Sequence, residues 1–175
     1  MVEHMTTYPP PRRRGRPTLY LDFDGVVHPE AVYWSPRRGA YIHDSIQGHV
    51  LFEHCGLLAS LLAPYPDVDL VLSTSWAQEY GCSKAASRLL PELRRRVVGA
   101  TYHSNMPLDL FRNAPRGRQV LADVVRRQPP TWLAIDDANE GWDDAGDHVV
   151  ISDPVHGIAA PAVREELRRA LKRFR

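Results

Sequence analysis

Five oxygen-bearing side chains stand at the ends of apolar runs. Asp22 and Asp24 lie two residues apart in LDFDG, Thr74 closes LVLST, and Asp136 and Asp137 close LAIDD. Carboxylates two residues apart share one side of an extended chain, which sends Phe23 the other way into a core. Gly25 permits a sharp turn directly after them. Gathering such charges is costly: two carboxylates ~4 Å apart repel by about 4 kcal/mol at an effective dielectric near 20. A hard divalent cation removes that cost, and the oxygen-only set Asp22, Asp24, Asp136 and Asp137 suits Mg²⁺. One acidic residue could simply close a turn. Three strand ends carrying such groups point to a site.

The elements that would position them are legible from periodicity. TLYLDF (18–23), VDLVLS (68–73), TWLAID (131–136) and HVVIS (148–152) read as strands, several of them buried on both faces, and VVGAT (97–101) as a further strand. Helical spacing appears at Val50, His54, Leu57, Leu58, Leu61 and Leu62 before Pro64, and one or two helices cover 76–96 with a break near Pro91. A stripe of Val120, Leu121, Val124 and Val125 marks a helix over 115–127; Val163, Leu167, Ala170 and Leu171 mark the closing one. Strands alternating with helices imply an α/β fold whose mainly parallel sheet is covered on both sides. The carboxyl edge of such a sheet forms the ligand crevice. AVYWSPRRGAY (31–41) reads as a hairpin flap, whose Tyr33, Trp34 and Tyr41 either stack on a base or pack on their own domain. Residues 1–17, rich in Pro and Arg, read as a disordered leader to a single domain over 18–175.

Composition narrows the classes. The 175 residues carry a net charge of +1, too balanced to imply nucleic-acid binding by itself. No apolar run approaches the ~20 residues that span a bilayer. The two cysteines form no CxxC and fit a reducing cytoplasm. Glycine-rich phosphate-loop and dinucleotide fingerprints are absent. Arginine is nevertheless concentrated: nine lie within 88–127 against Glu92, Asp109 and Asp123. A basic rim around an acidic pit would steer a polyanion, whereas arginines on periodic helices commonly form solvated faces.

Taken as a set, LDFDGVV, LVLSTS and LAIDD resemble the first, second and fourth motifs of the haloacid dehalogenase (HAD) superfamily, in family order over about 18–175. TSW, WLAIDD and DPVHGIAAPAV (153–163) are similar to the compact HAD domains of "Swiss Army Knife" RNA-repair proteins. The resemblance implies a Rossmannoid three-layer sandwich and a Mg²⁺-dependent phosphatase. In it Asp22 would be the nucleophile that becomes an aspartyl-phosphate, and Asp24 the general acid and base. Thr74 would bind a phosphate oxygen, with Ser73 and Ser75 as neighbouring alternatives and a helix N-cap as its structural role. Asp137, ahead of Asp136, would hold the metal.

The lysine usual before the fourth motif is missing, since Lys84 and Lys172 are the only lysines. Arg116 and then Arg118 are the candidates to supply its charge. His28 is a candidate contact to a leaving group, and Trp142 and His156 candidates to pack near the crevice. The 49 residues between Asp24 and Thr74 leave no room for a large cap, so the site is expected to be open to bulky phosphoesters. The readings kept open are a phosphomonoesterase of unspecified substrate, a phosphatase acting on a 3′ or 5′ nucleic-acid end, and a catalytically quiet module that binds a phosphorylated partner.

Overall fold

A computed structural model describes residues 10–175. The first half runs β1 (Thr18–Leu21), the hairpin strands β2 (Val32–Ser35) and β3 (Gly39–Ile42), α1 (Cys55–Leu62) and β4 (Asp69–Leu72). Short helices α2 (Ser75–Tyr80), α3 (Cys82–Ala86) and α4 (Pro91–Arg94) lead to β5 (Val97–Ala100). Then come α5 (Leu108–Asn113), α6 (Arg116–Arg127), β6 (Trp132–Asp136), β7 (Val149–Ile151), α7 (Pro161–Ala170) and a 3₁₀ turn (Leu171–Phe174).

Five strands pair in parallel in the order β5-β4-β1-β6-β7, as the alternation of strands and helices requires. Side-chain alternation then sorts each strand between two cores. Leu19, Leu21, Leu70, Leu72, Leu133 and Ile135 enter the larger core, with Leu58 and Leu62 of α1 and Leu167 of α7. Tyr20, Val71, Trp132 and Ala134 face the other side, where Val120 of α6 and Trp142 cover them. The sheet's direction of progression reverses between β1 and β6, so a crevice belongs at their carboxyl ends. Among the described residues the segment between β1 and β4 adds only the hairpin and α1 as regular elements, and no helix is long and apolar enough to cross a membrane.

Three sequence expectations need correction. The first helix begins at Cys55, not Val50: Phe52 takes a left-handed φ of 62° and donates its amide to His28 Nδ1 at 3.1 Å. In α6 Val125 is 75 % exposed, and the helix buries Asp123 and Arg127 instead. Those two are satisfied by each other at 2.8 Å, by Arg126 on Asp123 at 2.6 Å and by the Tyr20 hydroxyl donating to Asp123 at 2.9 Å.

The third concerns the leader. Residues 1–9 lie outside the described residues, but Arg12 to Pro17 are tied to the fold. Arg127 donates to the Arg12 carbonyl at 2.8 Å, Arg13 pairs with Asp69 at 3.3 Å, and Asp69 donates its amide to the Pro17 carbonyl at 2.9 Å. Arg13 and Arg16 of this segment thus meet a carboxylate at the start of β4.

Candidate active site

Register alone brings the first residues of the site together. Leu21 pairs with Ile135 on one side and Leu72 on the other, so Asp22 emerges between Asp136 and Ser73. The Asp22 amide donates to the Ile135 carbonyl at 3.2 Å, and the Ser73 amide donates to Leu21 at 2.9 Å. Period-two alternation puts Asp22 on the face of Tyr20 and Asp136 on the face of Ala134, the side covered by α6. The first residue of α6 is Arg116. Its guanidinium donates to the Ser73 carbonyl and lies 3.9 Å from Asp22 Oδ2 and 3.4 Å from Asp136 Oδ2.

Asp22, Asp136 and Asp137 form one group, with ligand oxygens all within 4.8 Å of one another. Asp22 and Asp136 are buried and Asp137 is half-buried. Their protonation answers to that crowding. Burial, then repulsion by Asp22, pushes Asp136 up to about 9, and the same two causes with Glu30 push Asp137 up to about 7. Burial also raises Asp22, against the Arg116 charge and hydrogen bonds from the Phe23 amide and the Thr74 hydroxyl. Burial by itself would lower the Arg116 pKa, but the surrounding carboxylates outweigh it and raise it. Asp136 Oδ1 accepts the Ala138 amide at 3.0 Å, whereas its buried Oδ2 accepts no hydrogen bond among the described residues. An oxygen with an ion-pair contact to Arg116 but no hydrogen bond, among crowded carboxylates, has room for a further cation, and the all-oxygen donor set fits a hard one.

Gly25 keeps this group open. It has φ 71°, and a Cβ there would lie 2.3 Å from Asp137 Oδ2. Its carbonyl accepts the Ser152 hydroxyl at 2.5 Å, which ties the turn to the end of β7. Gly25→Ala is expected to lower stability by ~2–4 kcal/mol, from left-handed strain plus overpacking. Urea unfolding measures it; a loss below about 0.5 kcal/mol would show that Asp137 moves aside freely.

Asp24 contributes no carboxylate to that group of three, although the sequence suggested a fourth ligand. Its Oδ1 accepts Trp76 Nε1 at 2.8 Å and meets His28 Nε2 at 2.9 Å. Because His28 Nδ1 accepts the Phe52 amide, the ring proton sits on Nε2, which therefore donates to Asp24. His28 is fully buried, so it orients Asp24 rather than contacting a leaving group. Nothing in the periodicity signals this pairing, and Trp76 is reached only through the fold; its place two residues after Thr74 in TSW is the sole hint.

The other candidates separate clearly. Thr74 is buried, caps α2 by accepting the Trp76 amide at 3.4 Å, and also hydrogen-bonds Asp22, which places its hydroxyl beside the carboxylate group. Ser73 Oγ is buried and without a hydrogen-bond partner among the described residues. Arg118 turns outward to Asp144 at 2.7 Å and Asp143 at 3.4 Å, away from the carboxylate group. Trp142 is buried and donates to the Ala138 carbonyl at 2.8 Å, bracing the loop after Asp137, while exposed His156 pairs with Asp153 at 3.2 Å. Much of the expected basic rim is internally engaged: Arg96 donates to three backbone carbonyls near α1, and Arg112 pairs with Glu79.

Residues 18–163 match the family model described as the HAD domain in Swiss Army Knife RNA repair proteins. Neither a curated protein nor a solved structure matches the chain.

Proposed function

The chain belongs to the HAD domains found in Swiss Army Knife RNA repair proteins, and from that membership and its site we propose that it is a Mg²⁺-dependent phosphatase that hydrolyses a phosphomonoester through an aspartyl-phosphate. The observation that carries this reading is the convergence of Asp22, Asp136 and Asp137 beside Arg116. Mg²⁺ held by those carboxylates would neutralise charge on them and on the phosphoryl group.

Asp22 attacks phosphorus through its carboxylate. The Arg116 charge, the Phe23 amide and the Thr74 hydroxyl all favour its ionised form. An O–P bond forms to Asp22 as the ester O–P bond breaks, and Asp24 gives its proton to the departing oxygen. Two N–H donors occupy Asp24 Oδ1 and fix the orientation of its carboxyl group. In the second half Asp24 takes a proton from water, whose oxygen bonds phosphorus and releases inorganic phosphate and free Asp22. The Thr74 and Ser73 hydroxyls and the Arg116 fork hold the remaining phosphoryl oxygens.

Arg116 takes the place of the missing family lysine, which weakens the case for a quiet binding module. An aryl phosphate assay separates the two. Turnover that needs Mg²⁺ and disappears on chelation is expected; no turnover on any phosphoester, with retained binding of phosphate, would favour the module.

A further inference from the structure

Trp76 has a second side. While Nε1 holds Asp24, its ring lines a pocket of about 330 Å³ with Trp34, Tyr80, Lys84 and Arg88. That is the lower end of the range for small-molecule sites, ~300–1,000 Å³. Two of its three aromatic walls are open. Of four tryptophans, Trp76, Trp132 and Trp142 are at most 9 % exposed, whereas Trp34 on the hairpin is 60 % exposed and Tyr80 39 %. Trp34 makes no ring contact among the described residues, whereas Tyr33 and Tyr41, with ring centroids 6.4 Å apart, pack on each other.

Neither of its cations is neutralised by a carboxylate. Lys84 in α3 and Arg88 just past its end line the same pocket and have no carboxylate partner among the described residues, unlike Arg112, Arg118, Arg126 and Arg127. Arg88 instead lies 5.5 Å from the Trp76 ring centroid and 5.8 Å from that of Phe52. Flat apolar walls next to two unneutralised cations select a planar aromatic group attached to an anion.

We propose that this pocket receives the leaving group as a nucleotide unit, its base against Trp34 and Tyr80 and a second phosphate against Lys84 and Arg88. The location rests on the phosphatase reading, because Asp24 protonates the leaving oxygen and Trp76 joins Asp24 to the pocket. A free nucleoside bisphosphate and the end of a nucleic-acid strand share this chemistry. A simple sugar phosphate would leave the aromatic walls unused.

Calorimetry on full-length Asp22→Asn protein reads binding without turnover. The probes are adenosine 3′,5′-bisphosphate, a short RNA oligonucleotide phosphorylated at both ends, glycerol phosphate and a phosphoserine peptide. Adenosine bisphosphate or the oligonucleotide is expected to bind at least about tenfold more tightly than glycerol phosphate, within what stacking of one base supplies. Trp34→Ala and Lys84→Ala, each added to Asp22→Asn, are expected to remove most of that preference. Preference for both nucleotide probes marks a free-nucleotide site, and preference for the oligonucleotide alone marks a strand end; either supports the pocket.

Equal affinity for all four probes would overturn the proposal, as would a preference that survives both substitutions or a peptide that binds as well as the RNA. Hydrolysis of glycerol phosphate by the native protein is measured in parallel. Its absence with no turnover of the nucleotide probes would defeat the phosphatase reading and with it the leaving-group role, while the calorimetry would still report whether a nucleotide binds.

Discussion

Asp22→Asn is expected to lower kcat on an aryl phosphate by about 10⁴-fold or more, the scale seen when a covalent nucleophile is removed. The substitution keeps size and shape at a buried position and removes the oxygen charge that attacks phosphorus. It should not destabilise the metal-free protein. Asp22 is one of the charges that raise Asp136 and Asp137, so neutralising it relieves repulsion in the cluster. Steady-state kinetics and thermal melting of the same sample therefore move in opposite senses: activity collapses while the metal-free melting temperature stays level or rises. Residual activity above about a tenth of the native value would move the nucleophile elsewhere; the ~10⁴ figure leaves ample room to see it.

Arg116→Ala is expected to damage both function and stability. The side chain bridges three elements, reaching Asp22 after β1, the Ser73 carbonyl after β4 and Asp136 at the end of β6. Its removal leaves two buried carboxylates without their cation, which costs ~3–5 kcal/mol where a buried pair is broken. It also deletes the fork expected to hold the phosphoryl group, lowering kcat/KM by about 10²–10³-fold. Arg116→Lys restores the charge but cannot reach all three partners at once, so it should recover stability better than activity. Urea unfolding and kcat/KM on an aryl phosphate check both parts. A stable, fully active Arg116→Ala protein would show that Arg116 only fills space beneath the site.

The parts of this site that were legible from sequence are those set by backbone rules. Asp22, Asp136 and Thr74 end apolar strands, and parallel pairing with period-two alternation is enough to send the two carboxylates to one face of one edge. Arg116 was legible because it opens an amphipathic helix that must cover that same face. What escaped depends on side-chain contacts across the fold. Trp76 reaches Asp24 across 52 residues, and Phe52 leaves the helical pattern to bond His28. Asp123 and Arg127 are buried in α6 at positions outside the apolar stripe of Val120, Leu121, Val124 and Val125, because each neutralises the other. Arg13 and Arg16 looked solvated until the fold brought Asp69 to them.

If the crowded carboxylates share a divalent cation as proposed, their protonation gives that binding a pH signature. Asp136 at about 9 and Asp137 at about 7 both lie above the ordinary 3.8, so the metal-free folded state binds protons more tightly than the unfolded chain. That contribution is fully present below about pH 4 and is lost as pH rises through 7 and then 9. A cation competing for the same oxygens acts oppositely, weakly where they are protonated and strongly where they are ionised. Thermal melting of chelated protein with and without Mg²⁺, at pH 5 and again at pH 9, is the most direct measurement. At saturating Mg²⁺ the expected shift near pH 9 is roughly 5–10 °C, from ~2.7 kcal/mol of binding at a hundredfold excess over Kd, with little shift at pH 5. An equal shift at both pH values, or none at pH 9, would contradict a metal held by Asp22, Asp136 and Asp137.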